Sequence, residues 1–254
     1  MKRIFLFLIF LYSHILVGTL YSANIDSLKV VADSAYAKED FATAQKTYLK
    51  ITKMGESATV CYNLGNCYYR QDDIARAILW YERASLLSPG DEDIRFNLDM
   101  ARSKTIDRVI PKHEFFFVTW YHTMTNWMSA DAWARLSLVF FILCLVSLAL
   151  YIYGQQIWLR KTGFTLSIVL LMLTIVGNIC AWSQGSRLAN RDGAIVMAPS
   201  AVVKSTPAAS GNDLFVLHEG TYVSIRDNSL SEWAEVTLAD GKQGWIEKKL
   251  IEVI

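Results

Sequence analysis

Residues 64–89 read LGNCYYRQDDIARAILWYERASLLSP, and the fold of the first water-soluble part of the chain follows from them. Within this stretch, Ala77-x3-Tyr81-x2-Ala84 matches Ala44-x3-Tyr48-x2-Ile51 at a shift of 33 residues. Small and aromatic residues that recur with this period are typical of a repeated pair of helices. Gly65 and Ala77 allow the paired helices to cross closely, and Pro89 ends the second helix.

The pattern Leu64-Gly65-x2-Tyr68 followed by Ala77-x3-Tyr81-x2-Ala84-x4-Pro89 resembles the tetratricopeptide repeat almost position for position. The first copy is more degenerate, with Ala32 and Ala35 at the positions where the family prefers Gly and Tyr. The segment 91–104 has apolar residues at spacings of three and four, which predicts an amphipathic helix that caps the repeats. We therefore expect tetratricopeptide-like repeats with a cap helix at residues 24–112.

The resemblance implies a concave groove lined by the first helix of each repeat. The residues expected to face it are Lys29, Thr59, Tyr62, Asn66, Tyr69 and Arg70. In such a groove Asn66 would hold an extended peptide by bidentate amide contacts, and Arg70 would bind a carboxylate. A merely solvated face is the alternative interpretation.

The composition of the whole chain excludes two classes of protein. Its 254 residues include 25 Lys and Arg against 24 Asp and Glu, and 53% are hydrophobic. Disordered proteins and proteins that coat nucleic acid need low hydrophobicity or a large charge excess, so we expect no nucleic-acid partner. The apolar residues are instead concentrated in three uncharged blocks near residues 4–20, 136–153 and 163–182.

The first block has the parts of a secretory signal peptide. Lys2 and Arg3 precede the apolar run, and the small residues Ser22 and Ala23 follow it. We predict a signal peptide at residues 1–23. An uncleaved anchor is the alternative, because bulky Tyr21 lies where a small residue is preferred.

The other two blocks have the length of membrane-spanning helices. Residues 136–153 and 163–182 reach about 27 to 30 Å as helices, which is the thickness of a hydrocarbon core. The loop at 154–162 contains Arg160 and Lys161 and no acid, so the positive-inside rule places it in the cytoplasm. We expect a multi-pass protein of the inner (cytoplasmic) membrane, with both soluble parts in the periplasm.

Aromatic residues mark the approach to the first span. They are Trp120, Tyr121, Trp127 and Trp133. Amphipathic rings prefer the headgroup region of a bilayer. The sequence therefore predicts an interfacial aromatic helix at residues 113–135.

Short β-rich runs separated by turn residues follow Arg191, and Asp240-Gly241 is a strong hairpin signal. The order of these runs resembles the bacterial SH3-like domain, which predicts an all-β barrel at residues 193–254. The resemblance implies a peptide-binding or cell-wall-binding surface, for which Trp233 and Trp245 are the candidates, and packing within the barrel is their alternative role. Five basic against eight acidic residues argue against an anionic polymer as ligand.

The sequence offers no recognisable catalytic chemistry. It contains no Gly-rich phosphate loop, no H-E-x-x-H and no G-x-S-x-G motif. Its four cysteines suggest no disulfide framework, since Cys61 and Cys67 lie six residues apart on one helix. We expect a protein that is not an enzyme and that has no catalytic residues, metal site or cofactor.

The predicted fold class is a multidomain membrane protein: an α-helical tetratricopeptide-like solenoid, two transmembrane helices and a C-terminal all-β SH3-like barrel. The order of these parts resembles the BatE-type proteins of the Bat aerotolerance operons of bacteria. That resemblance implies a periplasmic interaction scaffold in a complex linked to oxidative stress, with von Willebrand A-type membrane proteins as partners. The alternative is a cell-wall protein that binds peptidoglycan through the SH3-like domain.

Overall fold

The computed structural model describes residues 24–110, 112 and 115–254, so the predicted signal peptide lies outside the described residues. The helices are α1 (24–37), α2 (Phe41–Thr52), α3 (Ala58–Arg70), α4 (Ile74–Leu87), α5 (Glu92–Arg102), α6 (Phe116–Thr125), α7 (Ala130–Tyr153) and α8 (Ile157–Ala189). The strands are β1 (Gly193–Val196), β2 (Ser200–Lys204), β3 (Asp213–His218), β4 (Tyr222–Asp227), β5 (Trp233–Thr237), β6 (Gln243–Glu247) and β7 (Ile251–Val253). This layout of helical repeats, two long apolar helices and an all-β region confirms the predicted fold class.

The helical module, residues 24–102, repeats its local structure at the predicted shift of 33 residues. Asp40 and Asp73 cap the second helix of each repeat by accepting a backbone N–H three residues later. The Tyr48 hydroxyl donates to the carboxylate of Asp33, and the equivalent Tyr81 hydroxyl donates to Asn66 Oδ1 over 2.6 Å. Equivalent positions thus make equivalent bonds in both repeats, although the first copy is degenerate in sequence.

Gly65 lies where α3 crosses α4. A Cβ atom at this position would lie 2.6 Å from Cδ1 of Tyr81, whose side chain is buried. The absence of a side chain at Gly65 is therefore what lets the Tyr81 ring fill the space between the helices.

α7 and α8 are each long and apolar enough to cross a membrane. They pack as an antiparallel hairpin along a seam of mostly small residues. The buried positions of α8 are Gly163, Ser167, Leu170, Thr174, Gly177, Cys180 and Gln184. Their spacing of three and four residues is that of helices that pack closely, as in membrane bundles, while the larger apolar side chains face outward.

The structure divides the predicted interfacial helix at 113–135 into α6 and the first turn of α7. The break occurs because the Ser129 hydroxyl accepts the backbone N–H of Ala132 and so begins a new helix. The predicted loop at 154–162 is also shorter than expected. Residues 154–156 connect the helices, and Arg160 and Lys161 lie in the first turns of α8.

The β module, residues 193–254, is an antiparallel sheet in the order β3-β2-β6-β5-β4-β1-β7. Asp240-Gly241 forms the turn between β5 and β6, with Gly241 at a φ of 84°. Ala234, Val236 and Ile246 point into the core of this module. The two neighbours of β1, β4 and β7, bring the end of the chain beside its first strand.

The two soluble modules pack against each other through α4. This helix has buried residues round most of its circumference, including Ile78, Leu79 and Trp80. Ile195 of β1 and Ile254 belong to the same buried cluster as the helical core. The β module therefore supplies part of the core of the helical module.

We expect Gly65→Ala to destabilise the helical module by about 1–3 kcal/mol, because the Tyr81 ring must move from its packed position. Thermal unfolding of the detergent-solubilised protein, followed by circular dichroism, measures this loss. Gly55→Ala is the matched control, since a Cβ atom there meets nothing within 4 Å. Equal stability of the two variants would contradict the crossing described here.

Candidate functional site

The predicted groove residues lie on α1 and α3. The Ser57 hydroxyl caps α3 by accepting the backbone N–H of Val60, and the apolar side of α3 packs into the helical core. Tyr62, Asn66, Tyr69 and Arg70 lie on the other side of α3, half-buried or exposed, between α1 and α5. The structure thus places four of the six predicted residues on one surface, which we call the α3 groove.

A hydrogen-bonded network crosses the α3 groove. Tyr62 accepts a bond from Asn97 Nδ2 of α5 over 2.7 Å, and its ring centroid lies 5.9 Å from that of Tyr81. Asn66 Oδ1 accepts the Tyr81 hydroxyl. Burial raises the pKa of both tyrosines, so both stay neutral and able to donate at physiological pH.

This network changes the predicted role of Asn66. A bidentate contact with a peptide needs both the carbonyl and the amide of the side chain to be free. The carbonyl already accepts the Tyr81 hydroxyl, so Asn66 connects α3 to α4 in the structure. Its replacement would leave a buried hydroxyl without this acceptor.

Two cationic side chains lie towards the C-terminal end of α3. Arg70 is exposed and bonds the hydroxyl of Tyr36, while Lys104 Nζ lies 4.3 Å from the ring centroid of Tyr69. Sequence reasoning missed Tyr36, Asn97 and Lys104. The 33-residue shift relates Tyr36 to Tyr69 and would have identified it, whereas the other two follow the last complete repeat.

Lys29 and Thr59 are less closely joined to this surface. Lys29 is half-buried on α1, and Thr59 is exposed in the first turn of α3. Neither side chain has a hydrogen bond to the network among residues 24–110, 112 and 115–254. Their part in a groove stays a prediction.

Cys61 and Cys67 lie on α3 but belong to the buried core. Burial raises the pKa of each thiol to about 12. Because the thiolate is the reactive form, these cysteines are inert in the folded protein at neutral pH.

We expect alkylation of Cys61 and Cys67 at pH 8 to be at least about a thousandfold slower than that of an exposed thiol, with the rate rising as pH increases towards 12. Mass spectrometry of iodoacetamide-treated protein gives the rates. Thr59→Cys supplies an exposed thiol on the same helix as the control. Comparable rates at Cys61 and at this introduced cysteine would show that the core opens readily.

Asp107 joins the linker after α5 to the β module. Its Oδ2 accepts the backbone N–H of His218 over 2.6 Å and the Thr221 hydroxyl over 2.7 Å, and its Oδ1 lies 2.8 Å from His218 Nδ1. Burial by itself would raise the pKa of Asp107, but the hydrogen bonds from His218 and Thr221 outweigh it and lower the pKa. The ionised carboxylate therefore stabilises the contact between modules.

Replacing Asp107 with Asn should weaken this contact by about 1–3 kcal/mol. The amide keeps only one of the two acceptor oxygens, and its NH2 group would face a donor of His218 or Thr221 in place of the other oxygen. The wild-type contribution is present above pH 3.8, the ordinary pKa of the carboxyl, and is lost as pH falls through its lowered folded-state pKa. Limited proteolysis of the linker at 103–112 across this pH range measures the change. Asp26→Asn, at an exposed position on α1, is the control, and equal cleavage of both variants would disprove the contribution.

The predicted SH3-like surface is only partly accessible. Trp233 is 9% exposed, whereas Trp245 is half-buried. By strand register both lie on the same face of the β5–β6 ladder, opposite Glu247 and Glu235. Trp233 is therefore placed chiefly as a packing residue, and a ligand would meet Trp245 and the acidic side chains beside it.

Comparison with known proteins gives one family assignment. A tetratricopeptide repeat family matches residues 58–91, which contain α3, α4 and the turn that follows. The chain thus contains a tetratricopeptide repeat at the predicted position, a unit that commonly serves as a protein-interaction scaffold. No curated protein matches the chain. Within the described part of the chain, no group of three or more His, Cys, Asp or Glu residues could hold a metal ion.

Proposed function

We propose that this protein is a membrane-anchored scaffold that holds a segment of a partner protein in the α3 groove. The observation that carries the proposal is the position of the β module. It covers α4, on the far side of the repeat, and leaves the α3 groove exposed. A solenoid whose second-helix side is already packed presents its first-helix side to partners.

The chemistry of the α3 groove favours an extended segment with an acidic group. Tyr62 and Tyr69 provide flat rings, and Asn97, whose side-chain nitrogen already donates to Tyr62 and to the Asp93 carbonyl, keeps its Oδ1 as an acceptor for a peptide N–H. Arg70 provides a cation near one end, with a planar fork that binds a carboxylate bidentately, whereas Lys104 beside it already pairs with Asp72 over 3.6 Å.

The anchor is the α7–α8 hairpin. Arg160 and Lys161 lie at its short connection, which favours the cytoplasm for that end. Both soluble modules adjoin the opposite end, where Arg191 pairs with Glu56 of the helical module and the β module begins at Gly193. We infer that the hairpin crosses the inner membrane and that both modules lie in the periplasm.

The resemblance to the BatE-type proteins suggests which partners to seek. Membrane proteins with von Willebrand A-type domains would occupy the α3 groove, in a complex that supports aerotolerance. In this role the protein acts by binding and has no catalytic activity of its own.

A pull-down from gently solubilised membranes, with a tag after Ile254, tests the proposal. We expect mass spectrometry to identify a von Willebrand A-type membrane protein, and Arg70→Glu to reduce its recovery roughly tenfold or more. Arg70 is exposed, so this change leaves the fold intact, whereas Asn66→Ala would also remove the acceptor of Tyr81.

Arg226→Glu is the matched control, because it makes the same charge change at an exposed position of β4. Equal recovery with both variants would show that the α3 groove is not the binding surface. Recovery of cell-wall fragments without a protein partner would instead indicate that the β module is the binding part of the protein.

A further inference from the structure

A cavity of about 620 Å³ lies where all parts of the molecule meet. α4 and α5 form one wall, α6 and the end of α8 form another, and Gly193, Tyr222 and Ile254 of the β module close it. Its volume lies within the range of small-molecule sites.

The geometry points to a phosphate group, carried by an anionic phospholipid, as the occupant of this cavity. The inference goes beyond partner binding and rests on the membrane placement proposed above. Three observations carry it: the depth of the cavity, an arginine of its lining that forms no ion pair within the described residues, and its hydrogen-bond donors.

The depth follows from α6 and α8. Thr119, His122 and Thr123 of α6 line the cavity, whereas Phe117 and Trp120 on another side of the helix are 56% and 65% exposed. These exposed rings suit a bilayer surface. On α8, Arg187 lies five residues beyond the exposed Trp182, about 8 Å along the helix axis, which is the depth of a headgroup layer.

Four arginines line the cavity, and one of them, Arg187, contacts the residue directly after α6. The other arginines that line it have acidic neighbours: Arg102 pairs with Glu82, Arg191 pairs with Glu56 over 2.5 Å, and Arg95 lies 3.8 Å from Glu92. Arg187 differs, because its hydrogen-bond partner is the neutral side chain of Asn126.

Within the described residues, Arg187 forms no ion pair with any carboxylate. Two further acids, Asp99 and Asp192, line the cavity, and Asp99 lies 3.8 Å from Arg102. An anion beside Arg187 would meet a guanidinium that has no ion pair within the described residues.

The donors around Arg187 suit a phosphate. A guanidinium binds two phosphate oxygens through parallel N–H bonds. The His122 ring and the Thr119 hydroxyl also line the cavity and can donate to the same group. A lipid whose phosphate lies here could extend its acyl chains along the aromatic side of α6.

The test uses the full-length protein, stripped of lipid in detergent and then exposed to mixed micelles containing phosphatidylglycerol or phosphatidylcholine. Native mass spectrometry counts the retained lipids. We expect one phosphatidylglycerol to be retained in preference to phosphatidylcholine, and Arg187→Gln to weaken this binding roughly tenfold to a hundredfold. The glutamine can still donate to Asn126, so the fold is kept.

Arg135→Gln is the matched control, because Arg135 is an exposed arginine near the same end of the hairpin but outside the cavity. Equal loss of phosphatidylglycerol in both variants would show that the lipid is attracted by the general surface charge, and it would overturn the proposed site. Equal retention of the two lipids by the wild type would overturn it as well.

Inorganic phosphate without lipid distinguishes the source of the group. If it raises the unfolding temperature of the wild type but not of Arg187→Gln, and no lipid is retained, the cavity binds a soluble phosphate and the lipid assignment is wrong. Lipid binding in micelles does not depend on which side of the membrane the modules occupy, and the pull-down tests Arg70 and not Arg187. A failure of lipid binding can therefore be distinguished from a failure of the proposed orientation or of partner binding.

Discussion

α4 has buried apolar residues round most of its circumference, and this imposes the central constraint on the structure. A helix of this kind must be covered on more than one side. α3 and α5 cover it within the helical module, but the side that includes Ile78 needs a further partner, which β1 and Ile254 provide. Arg83 strengthens the contact by donating to the carbonyl of Val253 over 2.7 Å. The β module is thus attached to the repeat by the same burial that stabilises the repeat itself.

This attachment also determines which surfaces are free. The β module occupies the α4 side, so the α3 groove is left to solvent, and the linker that contains Asp107 is held against β3 and the turn before β4. The chain enters the β module directly from α8, with residues 190–192 between them. Consequently the end of the hairpin, the repeat and the β module surround one cavity and are not separate, independent domains.

Local sequence patterns were sufficient for the parts that depend on local physics. The 33-residue period predicted the positions of Tyr48 and Tyr81, and the positive-φ turn and Asp cap that precede the second helix recur with the same period, at Glu39-Asp40 and Asp72-Asp73. Ser129 also offered a capping signal that would have separated α6 from α7. The contacts between modules could not be predicted from the sequence, because Asp107 and His218 are 111 residues apart and no periodicity relates one surface to the other. The repeat pattern predicted that Tyr62, Asn66 and Arg70 share one side of α3, but the use of the Asn66 carbonyl by Tyr81 depends on the packed geometry of two helices.

The length of α8 has a mechanical meaning. Its 33 residues form one continuous helix about 50 Å long, whereas a hydrocarbon core is about 30 Å thick. If the hairpin crosses a membrane as proposed, the part of α8 beyond the hydrocarbon core projects towards the soluble modules, and the ion pair between Arg191 and Glu56 joins its end to the helical module. A change in the tilt of the hairpin would then turn both soluble modules together. Membrane thickness then becomes a mechanical input to the orientation of the surface that a partner meets.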